Sequence, residues 1–120
     1  HGADRRCGMR RYVLCAVAVE GFHYWLGAPT GSLEYLRHRH RHIFQVRMKF
    51  QVRDNDREIE INQRQNEITR YLLSHYGNGD GACEFGGLAC EHIAEELLEQ
   101  FGASACTVLE DGFGGAEIVR

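Results

Sequence analysis

Residues 37–52, RHRHRHIFQVRMKFQV, pass without interruption from alternating histidine and arginine into alternating apolar and polar residues. Side chains two apart on a strand share a face. Read as one long strand, this stretch sets His40 and His42 in line with Phe44, Val46, Met48, Phe50 and Val52, while Gln45, Arg47, Lys49, Gln51 and Arg53 take the opposite face. Two imidazoles at i and i+2, at the edge of an apolar face, are placed to share one metal ion. The same residues also read as a solvated basic strand start with adventitious metal affinity, and spacing does not separate the two. His38 lies on the histidine face as a stray or substitute ligand.

The chain around this stretch has 120 residues, 43% of them hydrophobic and 26% charged, which suits one globular domain with a modest core. A formal charge of -3 argues against a surface that grips nucleic acid as a whole, although the segment 37–53 is locally basic and can hold an anionic ligand. Cys7, Cys15, Cys83, Cys90 and Cys106 are odd in number and show no paired spacing, so they read as reduced thiols in a cytoplasmic protein. The longest apolar run falls far short of a membrane span. Residues 1–8 read as an expression remnant or leader outside the fold, and residues 9–120 as a single domain.

Upstream, residues 12–23 (YVLCAVAVEGFH) are rich in valine and small apolar residues and predict a strand buried largely on both faces, delivering Phe22 and His23 at its end. Gly27, Pro29, Thr30, Gly31 and Ser32 then mark a loop over 24–36, expected to lie over the histidines. Downstream, Asp54-Asn55-Asp56 signals a turn, and REIEI at 57–61 alternates as a short return strand pairing in a hairpin with the long one. Asn62 is the expected N-cap of a first helix, with Ile68, Tyr71, Leu72 and His75 at helical spacing and Gly77 as its stop. Five glycines in 77–87 predict a flexible loop. A second helix over 88–101 carries Ile93, Ala94, Leu97, Leu98 and Phe101 on one face and ends at Gly102. Strands follow at 104–110 and 116–119, joined by a glycine-rich turn. The order of two strands, two helices and two strands predicts an α+β fold, an antiparallel sheet with both helices on one face.

Antiparallel pairing of the first two strands would carry His23 to the sheet edge that holds His40 and His42. Three nitrogen ligands with an open fourth position are the usual construction of a catalytic zinc site. His23, followed by His40-Arg41-His42-Ile43-Phe44, resembles the zinc-binding pattern of the 6-pyruvoyl/6-carboxy-tetrahydropterin synthase family, one histidine and a later His-Gly-His-Asn-Tyr motif. Leu73-Ser74-His75 resembles that family's Leu-Asp-His, Leu88-Ala89-Cys90-Glu91-His92-Ile93-Ala94 its Pro-Thr-x-Glu-Asn-x-Ala helix start, and Val108-Leu109-Glu110-Asp111 its Val-x-Glu-Thr segment. The resemblance runs from Tyr12 to Val119 and implies the ββααββ tunnelling fold (T-fold), whose sheets join into a barrel by oligomerisation, commonly as a hexamer. It further implies zinc at His23, His40 and His42, His75 as catalytic acid or base, and Glu110 as the anchor of the substrate's pyrimidine ring. A carboxylate suits that last task because it accepts two parallel N–H bonds from a pterin or guanine.

Two positions depart from the family. Leu36 stands where the catalytic cysteine belongs, and Ser74 replaces the aspartate that orients the histidine. Family members lacking that cysteine are thought to use a nearby glutamate, which makes Glu34 the candidate base, two residues out of register. Cys83 and Cys90 offer alternative thiols, although isolated cysteines are more often small buried residues. Glu91 serves either as a favourable helix-terminus charge or as a ligand contact, with His92 similarly ambiguous. Arg37, Arg39 and Arg41 face away from the histidines. The leading expectation is a zinc-dependent lyase or aldolase acting on a reduced pterin. The others are a pterin- or purine-binding protein with altered or no catalysis, and an interaction protein whose basic strand contacts nucleic acid.

Overall fold

Two thirteen-residue strands, β1 (Arg11–His23) and β2 (His40–Val52), pair antiparallel along their whole length in the computed structural model, which describes residues 8–120. The register runs from Arg11 opposite Val52 to His23 opposite His40. Residues 1–7, including Cys7 and most of the expected leader, lie outside the described residues. After a single 3-10 turn at Glu34–Arg37 and β2 come α1 (Ile61–Tyr76), β3 (Cys83–Gly86), α2 (Cys90–Phe101), β4 (Ala105–Glu110) and β5 (Gly114–Val119). The sheet has five strands in the order β3-β1-β2-β4-β5.

The period-2 pattern of β2 resolves as the sequence predicts. Phe44, Val46, Met48, Phe50 and Val52 are all buried, and the first four share one core cluster with Ile68 and Leu72 of α1 and Ile93, Leu97 and Leu98 of α2. Both helices therefore cover one face of an α+β sheet. The other face, carrying Leu14, Ala16, Ala18, Arg47 and Lys49, is exposed in the single chain. The expectation that β1 is buried on both faces is thus corrected: its residues alternate, because nothing among the described residues covers the second side. Among the described residues no helix is long and apolar enough to cross a membrane.

Three further expectations are corrected. No strand forms at 57–61. Arg57 takes up the left-handed region at φ 54, the Glu58 carboxylate accepts from the Arg53 N–H, and α1 begins at Ile61, so the segment turns into the helix instead of running back along β2. Glu60 instead caps α1, its carboxylate accepting from the Asn62 and Gln63 N–H groups, in place of the expected Asn62 cap. The glycine-rich 77–87 segment is not all loop, since Cys83–Gly86 adds a short strand parallel to β1, making the sheet mixed rather than wholly antiparallel. In the single chain the sheet is open, with β3 and β5 at its edges, which leaves the barrel expected from oligomerisation untouched.

Gly21 sits opposite His42 where the sheet meets the core. A Cβ there would lie 2.7 Å from the Phe85 ring and 2.8 Å from the Phe44 ring. Gly21→Ala is therefore expected to displace two packed aromatic side chains and cost about 1–3 kcal/mol, read as a lower urea midpoint with unchanged slope.

Candidate metal centre

The β1/β2 register puts His23 directly opposite His40, and the pleat returns His42 to the same face one repeat later. Ring centroids are 4.6 Å apart for His23 and His40, 5.1 Å for His40 and His42, and 5.4 Å for His23 and His42. One ring nitrogen of each lies within 4.8 Å of those of the other two. The histidines read from sequence as a set are thus brought together. Phe44 lies beneath them, edge-on to His23 at 5.2 Å and to His42 at 5.7 Å.

The hydrogen bonds determine which nitrogens are available. Nδ1 of His23 meets the Leu88 carbonyl at 3.0 Å, Nδ1 of His40 the His38 carbonyl at 2.8 Å, and Nδ1 of His42 the Asp111 carboxylate at 2.7 Å. Carbonyl and carboxylate oxygens only accept, so each Nδ1 donates and carries its ring's proton. In the neutral rings each Nε2 keeps its lone pair. Metal-bound histidines are oriented in this way, by an acceptor on the far nitrogen. Burial pushes the His23 pKa down, opposed by the Leu88 carbonyl and by Glu110, which favours the neutral ring. The donor set fits zinc.

Asp111 is the residue that sequence reasoning missed. It occupies the left-handed region at φ 56, where its Oδ1 accepts from the Ile43 N–H at 2.8 Å and its own N–H donates to the Ile43 carbonyl at 2.8 Å. Those contacts aim Oδ2 at His42. The His42 ring and the Ile43 N–H hold the Asp111 carboxyl below its ordinary pKa. Its sequence signal was faint, an acidic residue in a glycine-rich turn. The Leu88 and His38 carbonyls carry no side-chain signal at all.

A cavity of ≈ 400 Å³ opens beside the histidines, lined among others by His23, His40, Leu36, Cys90, Glu91 and Glu110. Glu110 reaches furthest in: Oε2 lies 3.1 Å from His23 Nε2 and Oε1 3.5 Å from His42 Nε2. The Cys90 thiol donates to Glu110 Oε2 at 3.6 Å. Burial, then the adjacent Glu110, pushes the Cys90 pKa up to about 12, so it is a thiol at neutral pH.

The other candidates lie elsewhere. His75 is exposed on α1, stacked on Tyr71 at 4.0 Å, with Nδ1 on the Tyr71 carbonyl; Ser74 Oγ is 3.4 Å from that same nitrogen. Glu34 pairs with Arg37 at 3.8 Å on the 3-10 turn. Neither lines the cavity of a single chain. His92 is a helix cap, its Nδ1 accepting from the Ala89 N–H at 3.0 Å. Cys83 is buried against the Leu72 carbonyl, with burial raising its pKa to about 11.

Asp111→Asn keeps an acceptor for the Ile43 N–H and removes the charge behind His42. It is expected to lower zinc affinity by about 10- to 100-fold, measured by competition with a chromogenic chelator. Separately, Cys15, Cys83, Cys90 and Cys106 are free, buried and raised in pKa. For Cys90 and Cys106, pushed up to about 12, roughly one thiol in ten thousand is ionised at pH 8. Peptide mass spectrometry after iodoacetamide treatment should show all four unmodified in folded protein and alkylated in urea.

No family model matches the chain, and no curated protein matches it in sequence. Among solved structures, the fold is similar to the crystal structure of an uncharacterized protein from Wolinella succinogenes. The two share 14% sequence identity at a TM-score of 0.63, over 93% of this chain and 99% of the other. That likeness concerns the fold alone.

Proposed function

We propose that this protein is a zinc-dependent enzyme of the tetrahydropterin synthase type, a lyase or aldolase acting on a reduced pterin or similar heterocycle. The observation that carries the reading is the set of three clustered histidines whose Nδ1 atoms are all committed to acceptors, two of them, His23 and His40, lining a cavity that also holds Glu91 and Glu110. His23, His40 and His42 would hold zinc, which when bound would supply Lewis acidity toward a ligand oxygen. The cavity carboxylates supply paired acceptors for the 2-amino and ring N–H groups of a pterin or purine.

His75 and Glu34 enter this scheme only through assembly. Both lie outside the single-chain cavity, so a proton relay using either requires a second copy of the chain. We therefore include a homo-oligomer, a hexamer in the family pattern, whose contacts would cover the exposed sheet face and close the sheets into the barrel of the tunnelling fold. Four free thiols among the described residues suit a reducing compartment such as the cytoplasm.

A second reading, a heterocycle-binding protein without catalysis, is favoured by Leu36 in the cavity wall and Ser74 beside His75, where the family has its cysteine and aspartate. Nucleic-acid binding has less support, because Arg39 pairs with Glu84 at 2.6 Å and Arg41 with Glu20, neutralising much of the basic strand.

Elemental analysis of purified protein is expected to find one zinc per chain, lost in the His40→Ala/His42→Ala double variant. Native protein that never holds stoichiometric metal would overturn the zinc reading. Incubation with reduced pterin triphosphate separates the first two readings: turnover supports the enzyme, whereas binding without turnover supports the second. A clean monomer in sedimentation velocity would remove the oligomer.

A further inference from the structure

We infer that Glu110 is the fourth protein ligand of the metal, closing a three-histidine, one-carboxylate site. This rests on the zinc reading above and revises one part of it: Glu110 fills the fourth position of the ligand-free site, so a ligand oxygen would reach the ion by displacing Glu110 or as a fifth ligand. His23 is buried, with 7% of its surface accessible, and its Nε2 is a buried side-chain polar atom with no hydrogen-bond partner. With the Nδ1 proton held by the Leu88 carbonyl, that Nε2 presents a lone pair, and the group facing it at 3.1 Å is a carboxylate oxygen of Glu110. His42 repeats the arrangement: its Nδ1 proton is held by Asp111, and its Nε2 faces the other Glu110 oxygen at 3.5 Å.

A neutral Nε2 and a carboxylate oxygen at such distances, with no proton between them, repel each other, and a cation held by both removes that repulsion. Both contacts involve one carboxylate, so a single ion answers both. These two separations bracket the roughly 3.3 Å between ligands of a tetrahedral zinc with bonds of 2.0–2.1 Å. The Cys90 thiol, donating to Oε2 at 3.6 Å, provides the outer hydrogen bond that ligating carboxylates commonly receive. Glu110 then belongs to the ion rather than to a heterocycle, and Glu91 is the cavity carboxylate left for a ring.

Cobalt(II) titration of the chelator-stripped full chain tests this, because four-coordinate cobalt absorbs visible light far more strongly than six-coordinate cobalt. Native protein should show the intense four-coordinate spectrum. Glu110→Gln should shift and weaken that spectrum and reduce cobalt affinity by about tenfold or more. In the metal-free state Glu110→Gln should fold with a melting temperature no lower than native, since its amide N–H can donate where the carboxylate could only oppose. Native protein that binds cobalt, with a Glu110→Gln variant of equal affinity and identical spectrum, overturns the fourth ligand and leaves the zinc site intact. Native protein that binds no cobalt overturns both.

Discussion

The in-register pairing of β1 with β2 is the constraint on which the candidate site depends. Thirteen consecutive residue pairs bring His23 opposite His40, and the same ladder orients Phe44 through Val52 toward the helices. A slip of one residue would turn the β2 histidines and the apolar residues to the solvent side together, because the side-chain period of a strand is two. Core burial therefore enforces the histidine geometry. The apolar half of β2 fixes the register, and the polar half inherits it.

The core and the metal centre are also continuous in space. Phe44 contacts His23 and His42 on one side and Phe85 of β3 on the other, with ring centroids 4.9 Å apart in the latter pair. Gly21 leaves room for both phenylalanine rings. β3 runs beside the end of β1 and leads into Leu88, whose carbonyl orients His23. The β4–β5 turn brings Asp111 to His42 from the opposite side of the sheet order. His23 and His42 are thus oriented by distant parts of the chain, and His40 by the neighbouring His38 carbonyl.

Charge is partitioned between the faces of β2. On the outward side Arg39 and Arg41 are matched by Glu84 and Glu20, and Arg39 also covers the Phe22 ring at 3.6 Å. On the inward side the carboxylates of Glu110 and Asp111 face imidazoles instead. Leu36 and the protonated Cys90 complete a cavity wall without a ready thiolate. Hydrogen bonds from Tyr71 (2.6 Å) and Tyr76 to the single carboxylate of Glu96 tie α1 to α2, and Glu96 and burial raise both phenol pKa values. The helix layer behind the site is held by this clamp together with the apolar core.

By itself the sequence determined the long β2 strand and its inward face, both helices, and the meeting of His23 with His40 and His42. These are local patterns of period 2 or 3.6, and one antiparallel pairing suffices to join them. Tertiary structure alone decided which segments add to the sheet. It left 57–61 outside, where the chain turns through Arg57 into α1, and it added β3 from within a glycine-rich segment. It likewise selected Asp111, the Leu88 carbonyl and the His38 carbonyl as the groups that fix each histidine's proton, and left His75 and Glu34 outside the cavity of a single chain. Backbone carbonyls and turn aspartates carry no periodic signal, so the roles of Leu88 and Asp111 arise only when distant segments are brought into contact, and that of the neighbouring His38 carbonyl only from the backbone geometry ahead of β2.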